Sequence, residues 1–576
     1  MAEILDAADA TATLLAPGGR FEIVEDDVRG QRMRVWKHAP STLRDVLTLA
    51  RRYGDRDFLV YEDERITFEQ HHVLAATAAA RLAALGVGHG DRVVIAMRNL
   101  PEWVISFWAT VSLGAIAVPL NAWWTTDELV YGLEDSGAKV AIVDTERLGR
   151  LAGHLDEIAA LDVVLVAQED RSGSVDTEVA SRVKVRLFTE VLDDGEPVTE
   201  LPTTELHPDD DATIFYTSGT TGRPKGAVGT HRNSCTNLMN LFFVSSRTQL
   251  RTGSTGTGGP NAYLLSVPLF HATGCQAILV VNTAAGGKIV MMRKFDPERA
   301  LELIEREQIT TFGGVPTMVM QVLDSPRFPT SDVSSVRNVS YGGAPAPPEL
   351  VRRIAQAFPV GQPGNGYGMT ETTAATSMNS GPDYVGRPDS VGQPVPVVDV
   401  AIVPEDYPGT SPGEELPRGP EVTGELWVRG PNIVRGYWNR PEETALTFTD
   451  GWVHTGDVAR IDEDGWLYIV DRAKDVIIRG GENIYSAEVE AALFEHPDIA
   501  DCAVLGILHP VMGEEVGAVI VLKVGAKVRA DELARHVGER LAAYNVPSRF
   551  FFRDEPLPRN PAGKVLKRQL RDELSD

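Results

Sequence analysis

Ten consecutive residues have the composition of a phosphate-binding loop. They follow the apolar run 212–216 and read Thr217-Ser218-Gly219-Thr220-Thr221-Gly222-Arg223-Pro224-Lys225-Gly226. Glycines allow tight turns that direct backbone amides at phosphate, hydroxyls add donors, and Lys225 adds a positive charge. The spacing is not that of the common P-loop, GxxxxGK followed by Ser or Thr. The segment therefore predicts a phosphate site of another kind.

Four further side chains have types suited to nucleotide chemistry. Glu371 is a hard oxygen ligand beside the hydroxyl of Thr370, and together they suit a Mg²⁺ ion that bridges ATP phosphates. Tyr367 offers an aromatic face for a purine. Asp457, in a Thr-Gly-Asp turn, can accept two ribose hydroxyls. Taken singly, each residue has an ordinary structural alternative. Glu371 could be a helix first-turn acid, Tyr367 a core tyrosine and Asp457 part of a simple turn.

Six more motifs follow the loop in a fixed order. They are Pro268-Leu269-Phe270-His271, Tyr341-Gly342-Gly343-Ala344-Pro345, Gly366-Tyr367-Gly368-Met369-Thr370-Glu371, Thr455-Gly456-Asp457, Asp471-Arg472-Ala473-Lys474-Asp475 and Pro558-Arg559-Asn560-Pro561-Ala562-Gly563-Lys564. Over roughly residues 40 to 572 the chain resembles the acyl-adenylate-forming superfamily, which includes acyl- and aryl-CoA synthetases, adenylation domains and beetle luciferases. Within it, the chain looks closest to fatty-acyl-CoA ligases.

The resemblance implies an ATP-dependent carboxylic acid–CoA ligase with ATP, Mg²⁺ and coenzyme A. It assigns ATP or AMP to Thr217, Ser218, Gly219, Thr220, Thr221, Gly222, Lys225, Gly343, Ala344, Pro345, Gly366, Tyr367, Gly368, Met369, Thr370, Asp457, Arg472 and Lys564. It gives the metal to Glu371. The catalytic set it implies is Lys564, His271, Thr370 and Glu371.

The resemblance also implies a moving carboxy-terminal part. Lys564 would be the mobile catalytic lysine and Lys474 the hinge about which a small domain rotates. Rotation would bring Gly480, Gly481 and Glu482 to the path of the coenzyme A thiol. We expect the nearby basic residues Lys567 and Arg568 to lie on a solvated helix.

The resemblance also implies an acyl pocket beside His271. Its wall would comprise His271, Ala272, Thr273, Ala277, Gly313 and Gly314. These segments contain no Lys, Arg or second carboxylate, so we expect an acid that is apolar beyond its carboxylate, a medium- to long-chain fatty acid. Bulky polycyclic or branched acids and then aryl acids are the alternatives. His271 is also compatible with a core histidine.

Three other functions remain as alternatives. Amino-acid-activating relatives carry an Asp at the position of Ala272, and without it a substrate ammonium would be left unpaired. Ligases that load a carrier-protein thiol carry a hydrophobic insertion near the domain junction, for which 456–481 is too compact. A catalytically silent nucleotide-binding scaffold would not need Glu371, Asp457 and Lys564 intact.

Short β-rich runs alternate with helical stretches through most of the chain. This alternation predicts an α/β fold: a large multi-subdomain body with mainly parallel sheets and a small mobile α+β carboxy-terminal domain. We expect an amino-terminal extension over 1–40, the adenylate-forming domain over 41–472 and the small domain over 473–576. Asp296 before Pro297, and Thr125 before Glu128, predict helix starts.

Charge and cysteine content exclude several classes of partner. The formal net charge of −26 over 576 residues opposes nucleic acid and anionic lipid, so the partners expected are the acid, ATP and coenzyme A. Three cysteines without ligand spacing and an acidic amino terminus favour a cytoplasmic protein. The uncharged runs 103–120 and 263–287 contain helix breakers, which predicts buried helices and strands rather than membrane spans. A homo-oligomer and peripheral membrane association stay open.

Overall fold

The chain forms an α/β structure with five sheets, as the alternation of elements predicts. The computed structural model describes residues 4–575 apart from 169–174, 181, 218–222, 255–260, 344–347, 359, 405–406, 414–415, 417–418, 420, 480–481, 510 and 561–562. The fold class of a large body with mainly parallel sheets and a carboxy-terminal α+β part is confirmed. The domain boundaries stay a prediction.

The first large sheet has seven strands, here called the amino-terminal sheet. In spatial order these are Lys225–Thr230, Asp211–Thr217, Ile116–Pro119, Arg92–Ala96, Val140–Asp144, Val163–Ala167 and Lys184–Leu187. All neighbours are parallel except the first pair, which forms the antiparallel hairpin that carries the glycine-rich loop. Apolar β-branched residues fill its inner strands because both faces are covered by helices.

The second large sheet has nine strands, here called the central sheet. Their order is Gln393–Pro394, Ser377–Ser380, Gln362–Tyr367, Asn338–Gly342, Thr311–Gly314, Ala262–Leu265, Lys288–Met291, Asp57–Tyr61 and Glu64–Thr67. Its six middle strands are parallel, so their carboxyl ends lie at one edge. In open parallel sheets this edge is where ligands bind.

Three smaller sheets complete the chain. A hairpin joins Ile23–Val28 to Gln31–Trp36. An antiparallel sheet contains Asp399–Val403, Gly424–Arg429, Trp452–Ile461, Phe448–Thr449 and Leu467–Arg472. The carboxy-terminal sheet contains Glu482–Ile484, Ile477–Arg479, Gly513–Leu522, Ile499–His509 and Arg549–Phe552. All its strands therefore come from residues beyond 476.

Helices cover these sheets. They are Ala7–Leu14, Leu43–Ala50, Phe68–Ala84, Pro101–Leu113, Thr126–Ser136, Thr145–Leu151, Phe188–Leu192, His231–Thr252, Val280–Ala285, Pro297–Glu307, Pro316–Leu323, Pro348–Ala357, Pro382–Gly386, Pro441–Thr447, Ser486–Phe494, Ala530–Gly538 and Lys567–Ser575. Both predicted starts are confirmed, since Asp296 accepts a hydrogen bond from the Arg299 amide and Thr125 forms a capping box with Glu128.

The two long uncharged runs are part of the core. The first forms the wholly buried helix Pro101–Leu113 and then the strand Ile116–Pro119, as expected. The second begins with a strand and continues through a π-helix, Thr273–Leu279, before the helix Val280–Ala285. None of the helices in the described part of the chain is both long and apolar enough to span a bilayer.

Candidate active site

A cavity of about 1580 Å³ lies at the carboxyl ends of the parallel strands of both large sheets. Thr217 and Pro119 reach it from the amino-terminal sheet, and Gly314, Gly342 and Tyr367 reach it from the central sheet. The predicted residues that line it are Thr217, Lys225, His271, Ala272, Thr273, Ala277, Gly314, Gly343, Gly366, Tyr367, Gly368, Met369, Thr370, Glu371, Arg472 and Lys474. The fold thus gathers motifs that are far apart in the chain.

Tyr367, Asp457 and Arg472 form a connected group in the wall. The Tyr367 hydroxyl donates to Asp457 Oδ2 at 2.7 Å, and Arg472 Nε lies 3.3 Å from Asp457 Oδ1. Asp457 and Arg472 face each other in register across two antiparallel strands. Burial raises the pKa of Asp457, while Arg472 and the tyrosine hydroxyl oppose that rise. A fixed carboxylate with one donor on each oxygen is suited to holding hydroxyl groups.

Glu371 lies in a second group with Tyr437 and Lys225. The Tyr437 hydroxyl donates to Glu371 Oε1 at 2.7 Å, and the Lys225 ammonium lies 4.9 Å from the centre of the Tyr437 ring. Burial raises the pKa of Glu371, and the hydrogen bond from Tyr437 is the strongest effect opposing it. Tyr437 lies outside every motif, so the sequence did not identify it; nothing in the stretch Gly436-Tyr437-Trp438 marks it as a partner of Glu371.

These groups fit the magnesium ion that the family uses. Glu371 and Thr370 present a carboxylate and a hydroxyl, the oxygen ligands that Mg²⁺ prefers. Among the described residues no cluster of three or more His, Cys, Asp or Glu side chains could hold a metal by itself. Glu371 would therefore hold the ion together with ATP phosphates and water, which is the usual mode for Mg²⁺.

Lys564 lies next to the Asp457–Arg472 pair. Burial, Arg472 and Lys474 lower its pKa to about 7, and Asp475 and Asp457 partly oppose this. The loop that carries Lys564 contacts the body directly: Asn560 lines the cavity, and a methyl group on Gly563 would lie 2.5 Å from Val315 Cγ2. Neither Lys564 nor Asp457 itself lines the cavity, so the loop that carries Lys564 borders it through Asn560.

His271 lines the same cavity as the nucleotide-binding candidates, next to Ala272 and Thr273. Burial lowers its pKa to about 4, so the imidazole is neutral at pH 7. Its Nε2 atom has no hydrogen-bond partner among the described residues. The π-helix begins two residues later, and Gly274 is required there because a Cβ would lie 2.2 Å from the Pro268 carbonyl oxygen. π-Helical turns of this kind are frequent at functional sites.

Some predicted residues lie elsewhere. Gly313 is within its strand, where a Cβ would lie 1.5 Å from the Ser340 carbonyl oxygen, so it permits close strand pairing rather than forming the cavity wall. Glu482 is exposed on the carboxy-terminal sheet and does not line the cavity. Ser218, Gly219, Thr220, Thr221, Gly222, Ala344, Pro345, Gly480 and Gly481 lie outside the described residues.

The expectation of a solvated lysine at position 567 is wrong. The Lys567 ammonium lies 2.8 Å from Glu490 Oε1 and donates to Ser486 Oγ at 2.7 Å. Burial lowers its pKa, but Glu490 and Asp471 outweigh that and raise it. Arg568, by contrast, is exposed as expected. Lys567 thus anchors the last helix within the carboxy-terminal part.

The fold and cavity define an α/β body with a large cavity that reaches the carboxyl ends of its parallel strands, followed by a separate carboxy-terminal sheet. The family of AMP-binding enzymes matches residues 47–438, and the AMP-binding enzyme C-terminal domain matches residues 488–564. The chain belongs to this family. The superfamily predicted from the motifs is confirmed, and with it the class of ATP-dependent acid–thiol ligases that use ATP and coenzyme A.

Curated relatives cover nearly the whole chain. A feruloyl-CoA synthase from Amycolatopsis sp is 37% identical over 88% of this chain and 93% of its own length. A long-chain-fatty-acid–CoA ligase from Bacillus subtilis is 34% identical over 93% of this chain and 95% of its own. The two relatives are named for acids of different shape, so the acid is not fixed by similarity.

Solved structures agree with the fold. The anthranilate CoA ligase AuaEII in complex with anthranoyl-AMP has a TM-score of 0.80 at 26% identity, covering 92% of this chain and 97% of that one. An o-succinylbenzoate CoA synthetase from Bacillus subtilis, in complex with its acyl-adenylate intermediate, has a TM-score of 0.73 at 30% identity, covering 92% and 98%.

Proposed function

We propose that this enzyme joins a medium- to long-chain fatty acid to coenzyme A through an acyl-AMP intermediate. The observation that carries the proposal is the position of Lys564. The Lys564 ammonium interacts electrostatically with Arg472 and Asp457, and Asn560 of its loop lines a cavity that also includes His271, Ile278 and Val281. A nucleotide and an elongated acid can therefore both bind next to the Lys564 ammonium.

The first half-reaction needs no nucleophile from the protein. A carboxylate oxygen of the acid attacks the α-phosphorus of ATP, the bond from that phosphorus to the bridging oxygen breaks, and pyrophosphate departs. Asp457 accepts the ribose hydroxyls, and the Tyr367 ring lies against adenine. Lys564 binds the acid carboxylate and the α-phosphate together, which fixes the attack geometry and stabilises the negative charge of the transition state. Bound at Glu371, Mg²⁺ would neutralise phosphate charge.

The second half-reaction joins the acyl group to the thiol. The thiol loses its proton and its sulfur attacks the acyl carbon, and AMP leaves with the electron pair of the broken acyl–phosphate bond. In the described arrangement Lys564 interacts electrostatically with Asp457 and Arg472, while Glu482 is exposed and does not line the cavity. Rotation about Lys474 would move Lys564 away from the cavity and bring the face that carries Glu482 towards it. Neutral His271 lies at the branch point and would control passage between the acyl arm and the thiol.

The length of the acyl arm favours an elongated acid over a simple aryl acid. Its lining includes Leu241, Val244, Ile278 and Val281, which form an apolar surface beyond Thr273 and Ala277. Each buried methylene contributes about 0.8 kcal/mol, so kcat/KM should rise several-fold per added carbon until the arm is full. A short flat ring would leave most of this surface without contact.

The test is a panel of acids assayed for coenzyme A-dependent AMP release. Octanoate, dodecanoate, ferulate and benzoate are compared on the full chain, and kcat/KM should be highest for dodecanoate. A preference for ferulate or benzoate would refute the chain-length proposal and leave the ligase intact. Absence of acid-stimulated AMP release, together with absence of ATP–pyrophosphate exchange, would refute the ligase itself.

A further inference from the structure

The acyl arm of the cavity extends along the whole length of the central sheet. The strands Thr311–Gly314, Asn338–Gly342 and Gln362–Tyr367 contribute lining residues at both their carboxyl and their amino ends. The helix His231–Thr252 forms the opposite wall, with lining residues from Leu241 to Thr252. The arm is therefore not a pocket at the sheet edge but a channel that runs beneath it.

Two independent measures give similar lengths for this channel. From Gly342 to Asn338 a strand advances about 13 Å at ~3.3 Å per residue. From Leu241 to Thr252 a helix advances about 16 Å at ~1.5 Å per residue. An extended chain advances about 1.2 Å per bond, so the channel accommodates about 11 to 14 bonds beyond the carboxylate.

The far end of the channel is polar, and its middle carries both apolar side chains such as Val244 and Met378 and hydroxyl side chains such as Thr248 and Ser340. Asn261 Oδ1 accepts hydrogen bonds from Thr310 Oγ1 at 2.6 Å and Thr311 Oγ1 at 2.9 Å. Asn261 Nδ2 donates to Asn282 Oδ1 at 2.8 Å, and Asn338 Nδ2 donates to Thr311 Oγ1 at 3.4 Å. All five residues line the cavity. The amino ends of three neighbouring strands thus form one hydrogen-bonded group.

Two more polar side chains adjoin this group. Gln362 and Arg337 line the same end, where the central sheet begins. These residues lie outside the segments that the sequence assigned to the acyl pocket, which is why a purely apolar acid was expected. Together with the asparagine and threonine group they are called the distal polar group below.

A terminal methyl is a poor match for this environment. The asparagine and threonine side chains already bond one another, but the Gln362 side chain makes no hydrogen bond among the described residues, so a methyl placed against it would remove water without replacing the lost hydrogen bond. A hydroxyl or carbonyl oxygen at the same position would replace that bond. Sites that provide hydrogen bonds to a substrate oxygen discriminate strongly against analogues that lack it.

Resting on the proposed ligase function, we propose that the preferred acid carries an oxygen-bearing group about 11 to 14 bonds from its carboxylate. That group binds the distal polar group, while the methylenes between contact the apolar side chains of the channel, Leu241 and Val244 among them. The substrate class is thus a long-chain acid oxygenated at or near its far end, rather than a plain fatty acid.

The test compares two matched pairs of acids by coenzyme A-dependent AMP release. For the wild-type enzyme, kcat/KM for 12-hydroxydodecanoate should exceed that for dodecanoate by about five- to tenfold, the effect of one additional satisfied hydrogen bond. For 8-hydroxyoctanoate against octanoate the hydroxyl should give no such gain, because the shorter chain does not reach the distal polar group. Equal or better use of dodecanoate than of its hydroxylated form would overturn the proposal.

Variants in the distal polar group test which side chains recognise the terminal hydroxyl. Gln362→Met keeps the length of the side chain and removes its amide, so the preference for 12-hydroxydodecanoate should fall to about twofold or less. Asn338→Leu should do the same if Gln362→Met proves unstable by thermal melting. Gln31→Met, on the amino-terminal hairpin away from the cavity, should retain the wild-type ratio. A ratio unchanged in both cavity variants would overturn the assignment.

The outcomes also separate this proposal from the proposed function. If none of the four acids supports AMP release, the ligase on long acids is wrong. If plain and hydroxylated acids both support release at equal efficiency, the ligase stands and only the role of the distal polar group is wrong.

Discussion

The hydroxyl of Tyr367 donates a 2.7 Å hydrogen bond to Oδ2 of Asp457, which links the ring proposed to lie against adenine to the carboxylate proposed to hold the ribose. Tyr367→Phe keeps the ring and removes this donor from a buried carboxylate. We expect the KM for ATP to rise about tenfold, with a loss of stability of about 1–3 kcal/mol. Steady-state kinetics and thermal unfolding provide the two measurements.

Tyr468→Phe is the matched control for this variant. The Tyr468 hydroxyl also donates to a carboxylate, Asp462 Oδ2 at 3.0 Å, and neither residue lines the cavity. The control should leave the KM for ATP close to the wild-type value. An equal rise in both variants would show that the Tyr367 effect is not local to the nucleotide.

Tyr437 should set the pH at which Glu371 loses its charge. Burial already raises the pKa of Glu371, and the hydrogen bond from Tyr437 opposes this. Tyr437→Phe should raise the pKa further, so the metal-binding carboxylate is lost at a higher pH as the solution is acidified. The acid limb of kcat/KM for MgATP should move to higher pH. An unmoved limb would contradict the role of this hydrogen bond.

Lys564 should lose its charge close to neutral pH in the free enzyme. Its pKa is lowered to about 7, and the ammonium form persists only below that value, so adenylation measured as kcat/KM should decline as pH rises through 7. Lys474→Met removes one neighbouring positive charge and should move this alkaline limb to higher pH. Lys527→Met, an exposed lysine of the same carboxy-terminal part, should leave the limb in place.

Gly563 permits the loop of Lys564 to approach Val315. Its φ is +78°, and a Cβ there would lie 2.5 Å from Val315 Cγ2, so Gly563→Ala should push the loop away from the cavity. Adenylation should fall about tenfold or more, because a displacement of about 1 Å at the reacting groups has effects of that size. Conversion of synthetic acyl-AMP with coenzyme A should be affected much less.

Val315→Ala provides a test of the mechanism of that loss. Combined with Gly563→Ala it removes the clashing methyl groups and should restore part of the adenylation rate. The positive φ remains unfavourable for alanine, so recovery should be incomplete. Absence of any recovery would mean that backbone strain, and not the contact with Val315, causes the loss.

Lys474 should be the position about which the carboxy-terminal part rotates. Lys474→Pro fixes φ near −65° and also restricts Ala473 before it, so rotation should be impeded. Acyl-AMP should accumulate, and thioester formation should slow by more than adenylation. Rapid-quench measurement of both half-reactions gives the ratio of their rates, and an unchanged ratio would argue against rotation.

The motifs were legible in the sequence because each depends on local chemistry. The loop from Thr217 to Gly226 needs glycines and hydroxyls in succession, and the capped starts at Asp296 and Thr125 need only neighbouring residues. The alternation of strands and helices likewise follows from local apolar patterns, so the α/β class was predictable.

Other features depend on contacts between distant segments and were not predictable. Lys567 looked solvated, but the fold brings Glu490 to it from 77 positions earlier in the chain. Tyr437 meets Glu371 across 66 positions, and no pattern marks such a pair. The sequence by itself determined the chemistry of the nucleotide site, because motif residues act through their own types and spacing. Only the tertiary structure decided the shape and polarity of the acyl channel, because its far wall comes from the amino ends of strands whose alignment is a property of the assembled sheet.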